Sequence, residues 1–304
     1  MLLLRIFLPF SLGYFLSYLF RSINAVVGPR LVEEFALAPE ALGFLTSAYF
    51  LTFAAAQLPL GIALDRLGPR RTEAFLLLFA AGGALLFAHA GDTRELILAR
   101  ALIGLGVSAC LMASFKAFVL WFPAERLPFL NGCVLAVGGL GAIMATAPVE
   151  LALGLTGWRT IFLVLAGVTL AAAALLFLAV PEKRRDAPRE SWGKTLKGLG
   201  GVFASPLFWR IGPAVLTGSA AAQAFSGLWA GPWLRDVGGF DAGTTSTLLM
   251  VMAAAMSAGF LLLGAGLCND LPVRELAERY GQVRLVDVSF HPSVRLLARR
   301  LRNV

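Results

Sequence analysis

Gly61-Ile62-Ala63-Leu64-Asp65-Arg66-Leu67-Gly68-Pro69-Arg70-Arg71 joins two apolar blocks, at about 42 to 64 and 73 to 90, through a very short and strongly basic turn. In this segment Gly61 permits close helix packing. Asp65 can pair with neighbouring cations, and Arg66, Arg70 and Arg71 hold the turn at the inner surface of a membrane.

The rest of the chain supplies the context that reading needs. Of its 304 residues, 58% are hydrophobic and only 14% charged, with a mean hydropathy of +0.78, so lipid is the expected solvent. The apolar residues fall into blocks of about 20, the length of a helix that crosses a bilayer. Eight spans are expected, at about 6 to 28, 42 to 64, 73 to 90, 96 to 121, 129 to 153, 158 to 180, 208 to 232 and 244 to 267. The first is read as a retained span, because its apolar run is too long for a signal peptide and lacks a small-residue cleavage site.

A net charge of +8 raises nucleic acid as a partner, but the basic residues cluster between apolar blocks, which is the pattern of membrane orientation. With the N-terminus in the cytoplasm, the inner connections hold eleven cations and the outer ones four: Arg30, Arg94, Arg159 and Arg235. The charged connection Pro181 to Gly198 is then a cytoplasmic linker, and an even number of spans puts the arginine-rich tail on the same side. Cys110, Cys133 and Cys268 have no metal-ligand spacing and read as packing residues. No cofactor, metal or enzymatic constellation is expected in the spans.

The spacing G-x-x-x-D-R-x-G-x-R-R at Gly61, Asp65, Arg66, Gly68, Arg70 and Arg71 resembles the signature loop of the major facilitator superfamily. Arg100 followed by Gly104 and Gly106 resembles the family's fourth-span pattern, and Gly157-Trp158-Arg159 its entry to the sixth span. The glycines of the fifth span lack the Gly-Pro pair of the family's antiporter motif, so that helix implies nothing about antiport. The resemblance implies a secondary transporter working by alternating access in an inner or plasma membrane.

Four cations lie within spans: Arg21, Arg100, Lys116 and Arg210. A charge buried there costs about 2.5–3.5 kcal/mol on insertion scales, so it faces a cavity or a partner. Tyr14, Tyr18 and Arg21 follow i, i+4, i+7 along one face of the first span, a candidate substrate-binding face, with Gln57 and Gln223 as further hydrogen-bonders. The alternative for Arg21 is a structural ion pair with a carboxylate such as Glu150, and for Lys116 a snorkelling role near the cytoplasmic end. Gly13 through Arg21, with Pro29 and Glu33, resembles the first span of the organophosphate and anion branch of the superfamily. That branch implies a small anionic solute contacted by Arg21, with Lys116 as a second cation.

After span eight the apolar pattern stops. A complete member would continue through four more spans, so the expectation is a chain truncated after the eighth span that transports poorly by itself. From Leu261 the residues parse as strand, glycine turn, helix and strand, which resembles the start of a Rossmann-like methyltransferase, with Gly264, Gly266 and Asp287 in the cofactor-facing positions. Cys268 replaces the third glycine, and one strand-helix-strand unit cannot close a sheet, so no working cofactor site is expected.

The fold expected is thus an all-α membrane protein: a six-span bundle at 1–180, a cytoplasmic linker at 181–207, two spans of a second bundle at 208–267, and a short soluble α/β-like tail at 268–304. Its partners are lipid and a small anionic solute. The competing readings are a membrane-anchored fragment of a cofactor-binding enzyme and a non-transporting scaffold.

Overall fold

The computed structural model describes residues 3–181, 200–201 and 203–264. Most of the linker and the whole tail, with Gly266, Asp287 and Cys268, lie outside them. Among the described residues the chain is helical with no strand, an all-α membrane protein.

Among the described residues, seven helical segments are long and apolar enough to cross a membrane: Leu3–Ser22, Pro39–Leu67, Pro69–His89, Thr93–Trp121, Ala124–Thr156, Trp158–Ala179 and Ala242–Gly259. Each overlaps an expected span. The eighth expectation, 208 to 232, is also helical but falls outside this set. Leu261 to Gly264, parsed above as the start of a strand, continues a helix instead, because those residues extend its apolar run.

The first span is α1 (Leu8–Ser22), led in by a π-helical turn at Leu3–Phe7, and it continues after a break at Ile23 into α2 (Asn24–Phe35). Then come α3 (Pro39–Leu67) and α4 (Pro69–His89), whose junction is one residue, Gly68. Its φ of 81° lies in the left-handed region that L side chains avoid, and Pro69 opens α4 where its missing N–H costs nothing. The hydroxyl of Thr72 donates back to the carbonyl of Ala63 at 3.2 Å and pins the reversal.

The fourth span is α5 (Thr93–Val107) plus α6 (Cys110–Trp121). Asp92 caps its start, accepting from the Glu95 N–H at 2.8 Å, while Glu95 accepts from the Gly91 N–H at 2.7 Å. At the break between α5 and α6, Gln57 donates to the Ser108 carbonyl at 3.3 Å, so Gln57 serves packing there. The fifth span is α7 (Leu127–Met144) plus α8 (Ala147–Thr156), and α9 (Trp158–Ala179) is the sixth. The remaining helices are α10 (Pro206–Ala224), α11 (Ala230–Asp236), joined to α10 through a π-helical turn, and α12 (Ala242–Gly264).

Polarity runs opposite to that of a soluble domain. Leu155, Leu178 and Leu151 are 86%, 81% and 72% exposed, while Arg100, Glu73, Asn24 and Ser114 are buried. An apolar exterior is stable where the surroundings are hydrocarbon, and helices satisfy their own backbone there. Inside, glycines bring backbones together: a Cβ at Gly104 would strike the Tyr49 carbonyl, one at Gly106 the Ala80 backbone, and one at Gly141 the Phe15 carbonyl. The helix α12 lies along α7, with Gly139 against Ser257, whereas α10 is exposed along most of its length.

Candidate functional site

The inward face of α1 carries the site. Tyr14 and Tyr18 are 4% and 9% exposed and meet edge to face at 5.1 Å. Arg21, one turn further, is half-buried, with its guanidinium carbon 4.8 Å from the Tyr18 ring centre and 5.2 Å from that of Phe53. The hydroxyl of Tyr49 donates to the Ser17 carbonyl at 3.3 Å and lies beside the same guanidinium. The expected i, i+4, i+7 face therefore exists.

No carboxylate among the described residues lies within ion-pairing distance of Arg21, and its Nε has no partner. Glu150, the alternative partner, lines a different cavity of about 200 Å³ with Arg30, Glu33 and Arg235, between α2, α8, α11 and α12. Two rings return about 1–2 kcal/mol each at best to a desolvated cation. Together they are comparable to an insertion cost of about 2.5–3.5 kcal/mol, but a ring face does not replace an oxygen acceptor and the Nε–H still has no partner, which is the condition for taking an anion.

Arg100 stands behind this face with no exposure. Its Nη1 donates to the Phe20 carbonyl at 2.9 Å and its guanidinium carbon sits 4.9 Å from the Tyr49 ring centre. That carbonyl lies one turn before the break at Ile23, where a polar side chain inserted against a helix interrupts its regular course. Arg100 and Gly104 thus grip α1 and α3 around Tyr49.

Lys116 is placed elsewhere. It forms an ion pair with Asp65, so it belongs to the turn between α3 and α4 and not to the surroundings of Arg21. In the same turn Arg70 lies over Phe177 of α9 at 4.7 Å, with Arg66 and Arg71 exposed beside it. Gly61, expected to pack closely, has nothing within 4 Å of where a Cβ would stand. Gln223 lies on α10, half-buried on a mostly exposed helix.

At the end of α2, Glu34 accepts from the Trp158 indole at 2.7 Å and pairs with Arg159 at 2.5 Å, fastening α2 to α9. Partial burial acts to raise the pKa of Glu34, but Trp158 and Arg159 outweigh it and hold the carboxyl below its ordinary value. Two residues of the site, Tyr49 and Phe53, were not read from the sequence, and neither was the fully buried Glu73 on α4, which stands apart from them. A single tyrosine in an apolar span was the available signal for Tyr49, since its hydroxyl must find an acceptor there.

Among known proteins, the probable sulfoacetate transporter SauU of Cupriavidus necator is 30% identical over 159 residues, 52% of this chain and 37% of that protein. The hexuronate transporter of Escherichia coli K12 is 27% identical over 190 residues, 62% of this chain and 44% of that one. The chain therefore spans less than half the length of these relatives. In fold it is similar to an inward-facing, unoccupied bacterial homologue of the human lysosomal transporter Spinster, with a TM-score of 0.68, 19% identity, and coverage of 92% of this chain and 64% of that one. The family model described as Major Facilitator Superfamily matches residues 10–275, so the chain with this turn, this buried arginine and this helical bundle belongs to the Major Facilitator Superfamily.

Proposed function

We propose that this chain forms the first bundle, and the start of the second, of a secondary active transporter for a small organic anion bearing a carboxylate or sulfonate, moved by alternating access. The observation that carries this reading is Arg21: a half-buried guanidinium walled by Tyr18, Phe53 and the Tyr49 hydroxyl, with no carboxylate of the described residues against it. Two relatives named for anionic solutes, sulfoacetate and hexuronate, support the substrate class. Tyr14 and Tyr18 shape the site, and Arg100 with Gly104 positions Tyr49. The Asp65 turn with Lys116, Arg66, Arg70 and Arg71 acts as the inner latch, and the excess of cations in this and the other expected inner connections supports a cytoplasmic position for both termini in an inner or plasma membrane.

The test is binding of sulfoacetate and of glucuronate to the purified chain, measured together with thermal stability. Arg21→Gln abolishes binding while the unfolding temperature stays near that of wild type. Arg21→Lys also binds poorly, because an ammonium cannot make the two parallel hydrogen bonds a guanidinium offers. Loss of stability with binding unchanged would make Arg21 a structural residue and remove the basis of this reading. Absence of saturable binding by the wild type would favour a scaffold.

A further inference from the structure

Glu73 is the one acid placed in the interior of the first bundle among the described residues, and no feature above uses it. It begins the second turn of α4, has no exposure, and neither carboxyl oxygen has a hydrogen-bond partner of accepted geometry. Its Oε1 fills the space that a side chain at Gly13 of α1 would occupy, and the buried Cys110 thiol of α6 lines the same space at 3.7 Å from that point.

Every charged or titratable group on the elements packed around it can be placed. From α1 come Tyr14 and, further along, Tyr18 and Arg21; from α3, Glu40 near its start, Tyr49 beside Arg21, and Asp65 and Arg66 at the turn. Helix α5 brings Arg94, Glu95 and Arg100, and α6 brings Cys110 and Lys116, the latter taken by Asp65. Helix α9 brings Arg159, held by Glu34 at the end of α2, and α4 itself carries Arg70 and Arg71 one turn below and His89 at its far end. None of the cations is within ion-pairing distance of Glu73, and Cys110 is the group that stands against it.

A carboxylate sealed from water without a cation is too costly to keep ionised, whereas the neutral acid carries only a modest penalty. The site is also positioned to sense the anion. Gly13, which the carboxyl touches, is eight residues from Arg21 on α1, or about 12 Å of helix rise. Tyr14 lies between them, close enough to feel both Cys110 and Arg21. A unit charge at about 12 Å in a medium of effective dielectric about 20 shifts a proton equilibrium by about tenfold.

We propose that Glu73 is a proton-binding site, occupied as the neutral acid, whose occupancy is coupled to that of the anion site at Arg21. Loading transfers a proton from hydronium to a carboxylate oxygen and leaves water. An anion arriving at Arg21 favours the protonated form, and by reciprocity the protonated form favours the anion. The coupling rests on the anion reading above; the proton site does not.

Two measurements on the purified chain in lipid nanodiscs separate them. Infrared difference spectra recorded as pH is raised from about 5 to about 9 should contain the carbonyl stretch of a protonated carboxylic acid that persists at neutral pH, above the range of an ordinary Glu, and is missing in Glu73→Gln. In the same range the affinity for sulfoacetate falls about tenfold in wild type, while Glu73→Gln, fixed in the uncharged form, binds with the low-pH affinity throughout. Should Glu73→Gln not fold, Glu73→Asp must keep the band at a shifted frequency and keep the pH dependence. No Glu73-dependent band overturns the proton site, and a pH dependence that survives in Glu73→Gln overturns the coupling. If the band is present but neither sulfoacetate nor glucuronate binds, the anion reading and the coupling both fall and the proton site stands.

Discussion

Gly104 and Gly61 belong to motifs of similar sequence character, yet an alanine at each should have opposite effects. At Gly104 the new methyl would meet the Tyr49 carbonyl, the Thr52 hydroxyl at 2.7 Å and the Tyr49 carbonyl carbon at 2.9 Å. Two of these are backbone atoms and cannot rotate away. Restoring ordinary contact at about 3.5 Å requires α3 and α5 to part by about 1 Å. Overpacking of this kind costs about 1–3 kcal/mol, and the obstruction by backbone argues for the upper half of that range. The intrinsic helix preference for alanine over glycine returns at most about 1 kcal/mol. Gly104→Ala should therefore lose about 1–2 kcal/mol. At Gly61 nothing lies within 4 Å, so only the propensity gain applies and Gly61→Ala should gain about 0.5–1 kcal/mol. The difference, about 1.5–3 kcal/mol, can be read from denaturant unfolding in detergent, followed by reaction of the buried Cys110 thiol with a fluorogenic maleimide. Because Tyr49 also stands beside Arg21, Gly104→Ala should weaken anion binding while Gly61→Ala should not. Equal stabilities for the two variants would refute the close approach of α3 and α5 on which this assignment of Gly104 rests.

Two other expectations concern charge. The Lys116–Asp65 pair is partly exposed, 22% and 75% by side chain, so Asp65→Asn should change stability by no more than about 1 kcal/mol; a proteolysis assay at the turn between α3 and α4 reads whether the exchanged pair Asp65→Lys with Lys116→Asp recovers what either single change loses. Glu34 has a folded-state pKa below its ordinary value of 4.5, so its contribution to stability is complete above that value and is lost as pH falls through the lower, folded-state value. Thermal unfolding across the acid range should show a shallower decline for Glu34→Gln than for wild type, and an equal decline would remove the clamp as its cause.

The spans were legible because a bilayer imposes a length and a polarity that few other constraints imitate, and the Gly68 reversal because a one-residue junction between helices takes the left-handed backbone that glycine allows. Arg21 was legible from helical phase alone, since a charge so far into an apolar block has to face inward. Glu73 was not. It follows Arg71 by two residues and reads locally as part of a charged turn; only the missing side chain of Gly13, sixty residues away, opens the space that buries it. Lys116 could snorkel, bind an anion or pair with Asp65, and the choice depends on how α6 meets the end of α3, which spacing within one helix cannot encode. The same holds for Gly61, whose expected close neighbour is absent among the described residues.

Helix α7 meets two different neighbours through adjacent glycines, and this permits a test of which contacts reach the site. Gly138 and Gly141 face α1, the first against the Tyr14 ring and the second against the Phe15 carbonyl, while Gly139 faces Ser257 of α12. Successive residues on a helix point about 100° apart, so a methyl at Gly139 pushes away from α1 and toward α12. Which helix yields depends on how each is held. The α7 surface is locked to α1 at two glycines, whereas α12 packs on α7, α8 and α11 and leaves residues such as Val251 exposed at 57%. The looser partner should move. Gly139→Ala is therefore expected to cost about 1–3 kcal/mol of docking of α12, and Ser257→Gly, which removes the obstructing hydroxyl and its carbon, should recover most of that in the double variant. Sulfoacetate affinity at Arg21 should stay within about twofold of wild type in both, well under the tenfold that about 1.4 kcal/mol would produce. A large loss of affinity in Gly139→Ala, reversed by Ser257→Gly, would mean that α7 moves and carries Tyr14 with it, making α7 a mechanical link between the second bundle and the anion site where the packing on either side argues that it is a fixed wall.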